Sequence, residues 1–226
     1  LWYAFAGGEV FIRKDFAKLY NIVSQNARPK VITIPTNGWY IEKTYKAILE
    51  MLQQNPNQTL IIQLSIDGTK EIHNQIRGPN SYERAIETFQ KLSPLRKIYP
   101  CFQLAFITVV TPQNSHIYPK FIDDLHAFDP NQININLFRY GYLDHPKLPS
   151  NLTETYKTAI EYYEDLIQSN KLKKFNFLGA KAMRLKEVMQ KELIYKVAAE
   201  SKFVTPCTAG TLSYVAWEDG RLGPCE

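Results

Sequence analysis

Cysteine is scarce in this chain, with three among 226 residues at Cys101, Cys207 and Cys225. So sparse and odd a set cannot staple a secreted disulfide scaffold, and it favours a reducing compartment, which we read as cytoplasmic. No apolar run approaches the roughly 18 residues needed to span a bilayer, and no basic-then-apolar leader opens the chain, so no membrane partner is expected. A strong charge imbalance is also missing: 27 Lys and Arg stand against 22 Asp and Glu, a formal net charge of +5. The densest basic stretch, Lys171-Leu172-Lys173-Lys174, reads as a solvated helix end, and no nucleic-acid partner is expected. Internal repeats, low-complexity segments and a phosphate-binding glycine loop are absent. There is no initiator methionine either. Leu1 opens directly into an apolar run, so a segment is expected to precede it.

What remains is an ordinary globular composition, 45% hydrophobic and 22% charged, long enough for one sizeable α/β domain and the start of a second. β-rich apolar runs predict strands over Leu1–Ala6, Lys30–Pro35, Thr59–Leu64, Phe102–Val110 and Gln132–Phe138. Between them Glu42–Gln54 and Tyr82–Leu92 show three- and four-residue apolar spacing; in the second, Ala85, Ile86, Phe89 and Leu92 share one helical face. Strand–helix units of this length imply a parallel sheet with right-handed crossovers, either a partial barrel or an open doubly wound sheet. After Leu148-Pro149-Ser150 the character changes. Helices are expected over Leu152–Ser169 and Ala180–Ala199, then a hairpin through Trp217-Glu218-Asp219-Gly220-Arg221 with Asp-Gly at its bend.

In parallel α/β folds, functional groups collect just past the carboxyl ends of the strands. Here those positions hold Gly7-Gly8-Glu9, Thr36-Asn37-Gly38, Ser65-Ile66-Asp67-Gly68, Thr111-Pro112-Gln113-Asn114 and Arg139-Tyr140-Gly141. Any one of these is an ordinary turn. All five at matched ends predict one rim lined for a polar small molecule. Glycines at 7 and 8 let backbone approach a ligand, and Glu9 offers a carboxylate for an ammonium group. Ser65 and Asp67 offer acceptors for sugar hydroxyls, and Arg77 a fork for a carboxylate. The set suits an amino-acid nucleoside better than a phosphate.

The ordered series Phe5-Ala6-Gly7-Gly8-Glu9-Val10, Ile34-Pro35-Thr36-Asn37-Gly38 and Ser65-Ile66-Asp67-Gly68, leading into His73 and Ile76-Arg77-Gly78, resembles the radical S-adenosylmethionine superfamily. It is most similar to the branch with a C-terminal SPASM or twitch extension. The resemblance implies a partial (β/α)6 barrel lacking its first strand over residues 1–150, a helical connection over 151–204 and the start of the extension over 205–226. It implies an enzyme that reductively cleaves S-adenosyl-L-methionine to a 5′-deoxyadenosyl radical, which abstracts hydrogen from a substrate. A peptide is the first expectation, and a small carbohydrate or nucleoside the second.

By the same resemblance Gly7, Gly8 and Glu9 meet the methionine amino group, Ser65 and Asp67 the ribose, Arg77 the carboxylate, and Val109 and Asn114 the adenine. Asn37 is counted with these cofactor-binding residues, and its strand end, like that of Arg139, is expected toward the substrate side. The catalytic 4Fe–4S cluster, fed by a reducing electron donor, takes three cysteines that would precede this chain. The chain departs from the family at Val10, where proline is usual. Without the upstream cysteines the alternative is a non-catalytic relative serving as a binding protein. A barrel lyase using a Schiff-base lysine ranks last, since no Lys falls at a strand end.

Cys207 and Cys225 flank the hairpin. Read alone they are a buried pair or half of a zinc site; the resemblance makes them two thiolates of an auxiliary Fe–S cluster. Cys101, at the amino end of its strand, reads as structural. His73 is expected beside the pocket as a packing or surface residue. His116, His126 and His145 share no metal-ligand spacing. Tyr140 and Tyr142 read as core or rim packing, with a place bordering the substrate as the alternative.

Overall fold

A computed structural model of the chain describes residues 2–139, 148–169, 171, 179–202 and 204–224. Five strands form one sheet: β1 (Trp2–Ala4), β2 (Val31–Thr36), β3 (Thr59–Ser65), β4 (Phe102–Val110) and β5 (Gln132–Leu137). Every neighbouring pair is parallel and the spatial order is sequential, β1-β2-β3-β4-β5. That order resolves the choice left open by periodicity. A doubly wound sheet reverses its strand order midway and sends helices to both faces. Sequential right-handed crossovers put them all on one face and curl the sheet, as in a barrel. The crossovers carry α1 (Phe16–Ala27), α2 (Ile41–Gln54), α3 (Lys70–Arg77), α4 (Ser81–Leu92), the short α5 (Leu95–Ile98) and α6 (Lys120–His126).

The two faces of the sheet differ in chemistry because side chains alternate along each strand. Ile32, Ile34, Leu60, Ile62, Leu64, Leu104, Phe106, Ile133 and Ile135 point to the helical side and are fully buried. They join Tyr20, Ile48, Met51, Phe89 and Leu125 from the helices in one continuous core. Each such side chain contributes about 1.5–3 kcal/mol by leaving water, so this layer dominates stability. The parallel register lines up the alternate positions, pairing Thr33 with Ile61, Gln63 with Ala105, and Ile107 with Asn134. The second face therefore collects Thr33, Gln63, Ser65, Gln103, Gln132, Asn134 and Asn136, a polar surface.

Two further helices, α7 (Ser150–Gln168) and α8 (Ala180–Glu200), decide which part of that surface stays open. Helix α7 packs on β5, where the Ile133 N–H donates to the Tyr163 hydroxyl at 3.0 Å. Met183 of α8 packs on Val31, Ile61 and Ala105, filling the amino-terminal half of the polar face. The carboxyl-terminal half, with Pro35, Gln63, Ser65, Ile107, Val109, Asn134 and Asn136, is only half-buried. The open surface is thus the half next to the strand-end loops.

Downstream, β6 (Val215–Ala216) and β7 (Leu222–Gly223) pair antiparallel. The Trp217 N–H donates to the Arg221 carbonyl at 2.9 Å, and Gly220 takes φ +86° at the bend, so the hairpin falls where Asp-Gly placed it. Its strands are shorter than the alternating run suggests because only two residues on each side pair. Strand β1 is also shorter than the run it was read from, and β2 starts and ends one residue later. Residues 140–147, which hold Tyr140, Gly141, Tyr142 and His145, lie outside the described residues, as do 172–178 and Cys225.

Candidate functional site

The loops after the first four strands meet one another at the carboxyl rim. The Glu9 carboxylate, half-buried, accepts the Asn37 N–H at 2.7 Å and the Phe11 N–H at 3.2 Å, and both of its oxygens receive the Thr36 hydroxyl, at 2.9 and 3.0 Å. One side chain thus fastens the loop after β1 to the loop after β2. The space in front of this joint is open: a Cβ built on Gly7 or Gly8 meets no atom within 4 Å, and Gly7 holds φ +130°, a conformation that side chains disfavour.

The second loop is clamped from behind. Gly38 sits at φ +71°, and a Cβ there would come within 2.8 Å of the Ala85 backbone in α4. Only glycine permits that approach, and it lets the Thr88 hydroxyl donate to the Gly38 carbonyl at 2.7 Å. The Asn37 side chain accepts the Trp39 N–H at 2.9 Å, turning Trp39 outward, where the Arg84 guanidinium lies 4.8 Å from its ring centroid.

Around β3 and β4 the clasp is Asp67, only 3% exposed. One carboxylate oxygen accepts the Arg77 Nε–H at 2.5 Å and the other accepts the Val109 N–H at 2.9 Å. Asn114, fully buried, gives its amide hydrogens to the Asp67 and Val109 carbonyls at 2.7 and 2.8 Å and accepts the Thr111 N–H at 2.7 Å. The side chains of Asp67 and Asn114 are engaged inward, and what they present to the rim is the backbone they hold. Arg77 is committed through Nε to Asp67; its side chain also lines, with Asn37, Trp39 and Ser81, a cavity of about 290 Å³. Ser65 ends β3 half-buried on the open polar face.

His73 is not at the surface. It lies within α3, fully buried, with Nδ1 accepting the Asp67 N–H at 2.9 Å and Nε2 without a partner among the described residues. Accepting at Nδ1 fixes the neutral ring with its proton on Nε2. Burial, partly opposed by the Asp67 charge, lowers its pKa to about 4. Between about 4 and the ordinary 6.5 the unfolded chain binds a proton that the folded chain refuses, so stability falls as the solution is acidified through that window. Urea unfolding at pH 7 and pH 5 should show a loss of roughly 1–2 kcal/mol that shrinks in His73→Gln.

Several residues of the open face escape a reading that looks only at strand ends. Gln63, Asn134 and Asn136 project from mid-strand onto the half-buried surface. The signal was the strict alternation Gln132, Asn134, Asn136 against Ile133, Ile135, Leu137, which marks a strand with one polar face.

Among the described residues no group of three or more His, Cys, Asp or Glu is placed to hold a metal. Cys207 is exposed and free, and Cys101 is half-buried just before β4, at the end of the sheet away from the rim. No described helix is long and apolar enough to cross a membrane.

No protein-family model matches the sequence, and no curated protein matches it. Solved structures do. A polyhistidine-tagged anSMEcpe with bound AdoMet superimposes with a TM-score of 0.61 at 16% identity, covering 99% of this chain and 57% of that one. Native anSMEcpe with bound AdoMet and the Cp18Cys peptide, and the same protein with the Kp18Cys peptide, each give a TM-score of 0.57 at 18% identity, covering 100% of this chain and 60% of theirs. These are structures of an anaerobic sulfatase-maturating enzyme. The fold is therefore the one these structures share, a partial (β/α) barrel: a curled half-barrel of five parallel strands. The chain spans about three-fifths of the length of the structures it matches.

Proposed function

We propose that this chain is the barrel portion of a radical S-adenosylmethionine enzyme and that it binds the nucleoside at the rim built by Glu9, Asn37, Asp67 and Asn114. The observation that carries the reading is the open space before Gly7 and Gly8, beside a fixed carboxylate and above a half-buried polar face, in a fold shared with AdoMet-bound structures. Glu9 has lone pairs left for the methionine ammonium, and Gly7 and Gly8 offer backbone at close approach. Arg77 keeps its terminal guanidinium nitrogens for the carboxylate. Ser65 offers its hydroxyl to the ribose and Val109 its face to the adenine. Asp67, Asn114 and Asn37 are positioning residues: they hold those groups in place through backbone and side-chain hydrogen bonds.

S-adenosylmethionine held by Glu9, Gly7, Gly8 and Arg77 would supply radical hydrogen-abstraction chemistry on one-electron reduction. The electron would come from an iron–sulfur cluster, for which no set of ligands stands among the described residues. Cys207 and Cys225 are two of the thiolates we expect on an auxiliary cluster; clusters commonly take four, so they need others. The substrate faces Gln63, Asn134 and Asn136, amides suited to the main chain of a peptide. Peptides are what two of the matched structures contain.

The test is chemical. The complete protein encoded around this chain, purified anaerobically and reduced, should contain iron and sulfide and release 5′-deoxyadenosine from S-adenosylmethionine. A cluster-loaded, reduced sample that binds the nucleoside without cleaving it would instead establish the non-catalytic binding protein.

A further inference from the structure

At the opposite end of the sheet from the rim, β5, α7 and α8 enclose a cavity of about 330 Å³. Its floor is apolar, with Tyr163, Ile167 and Val188 in the wall. Arg184 and Lys191 line it with Glu164 and Glu187, and Lys181 lies exposed at its margin. Lys191 is only 5% exposed, and its ammonium lies 4.4 Å from the Tyr163 ring centroid. Among the described residues no carboxylate comes within the 4.0 Å ion-pair distance of Lys191, Arg184 or Lys181. Glu187 is engaged instead by the Gln132 amide, whose Nε2–H donates to it at 2.6 Å, and the other Gln132 amide atom, Oε1, is buried without a partner. Burial lowers the Lys191 pKa to about 8, partly opposed by the charges of Glu187 and Glu164, whose own pKa values burial raises.

A buried ammonium without a carboxylate costs free energy unless something supplies the missing anion. A π face offsets part of that cost and leaves the charge uncompensated. We propose that this cavity is a second binding site, separate from the rim, for a small monocarboxylate with an apolar body: its carboxylate meets Lys191 and Arg184, and its body rests on Tyr163, Ile167 and Val188. The buried group without a close carboxylate is the single Lys191 ammonium, which argues for a monoanion over a phosphate dianion. The lining, mostly apolar, argues for a hydrocarbon or aromatic body over a sugar.

The probe is 3-phenylpropionate, with 3-phenylpropanamide as its uncharged counterpart. In the intact protein at pH 7 the carboxylate should raise Tm by roughly 5 °C at a hundredfold excess over its Kd, while the amide leaves Tm unchanged. Lys191→Met should melt no lower than the parent and lose the response, and Val188→Phe, which fills the cavity, should lose it as well. S-adenosylmethionine binding at the rim should survive both substitutions, so the outcome does not depend on the rim's function. Equal shifts by acid and amide, or a response retained in either variant, overturn the proposal. A Lys191→Met protein that melts well below the parent also overturns it, because Lys191 would then have a carboxylate partner within the fold.

Discussion

Asp67→Ala should lower the free energy of unfolding by about 3–5 kcal/mol, the range for removing one member of a buried, hydrogen-bonded ion pair. Both Asp67 oxygens are in use, one on Arg77 and one on the Val109 N–H. Alanine leaves that N–H without its partner on the inner side of the rim and releases a guanidinium that is two-thirds buried. Asp67→Asn separates charge from geometry: its amide can serve one of the two donors but must present hydrogens to the other, so the loss should fall between alanine and the parent. Urea denaturation of all three proteins at pH 7 checks the order. A loss under about 1 kcal/mol for alanine, the scale of a single ordinary hydrogen bond, would mean that the Asp67 clasp does not hold β3 to β4.

Glu9→Gln should weaken S-adenosylmethionine binding roughly 10- to 100-fold, matching the roughly 1.5–3 kcal/mol of a hydrogen bond to a charged group. The carboxylate is an acceptor at both oxygens. In glutamine one becomes an NH2, which must either face the Asn37 N–H, donor against donor, or turn toward the incoming ammonium. Either orientation loses an acceptor the site needs, and the first also loosens the joint between the loops after β1 and β2. Equilibrium dialysis on the complete, cluster-loaded protein measures the affinity. Thr36→Val removes a brace and leaves the charge, so it should cost stability with less than about a threefold change in affinity. Equal losses of affinity in the two variants would make Glu9 a structural brace alone.

The elements were legible where one physical demand governed a stretch of chain. Strand β4 spans Phe102–Val110 as its apolar run predicts, and α2 and α4 extend the expected helices by a residue at the start. Helices α1 and α3 are fainter in the sequence because their buried faces include Asn21, Ser24 and His73, polar residues that periodicity scores as solvent-facing. The clustering of small polar groups past the strand ends was also legible, since a parallel sheet brings those ends to one rim whatever the details.

What each of those side chains does was not legible. In the sequence Asp67, Asn114 and Arg77 are three polar residues near a pocket, and nothing in their spacing tells a ligand acceptor from a clasp. The structure commits Asp67 to Arg77 and Val109, and Asn114 to three backbone groups. His73 shows the same limit: its neutral state follows from burial inside α3, which depends on what packs around it. The mid-strand amides Gln63, Asn134 and Asn136 gained meaning only once sequential strand order left their face without crossover helices.

The sequence alone determined that this is an α/β chain with parallel strands, polar groups gathered at the strand ends and too few cysteines for a disulfide scaffold, because apolar alternation and composition act locally and survive without coordinates. The tertiary structure decided which half of the polar face stays open, which carboxylate is spent on the fold, and where a buried lysine faces a cavity with no carboxylate, among the described residues, at ion-pair distance. Those outcomes depend on contacts between residues tens of positions apart, and such contacts exist only after the sheet has curled and α7 and α8 have packed against it.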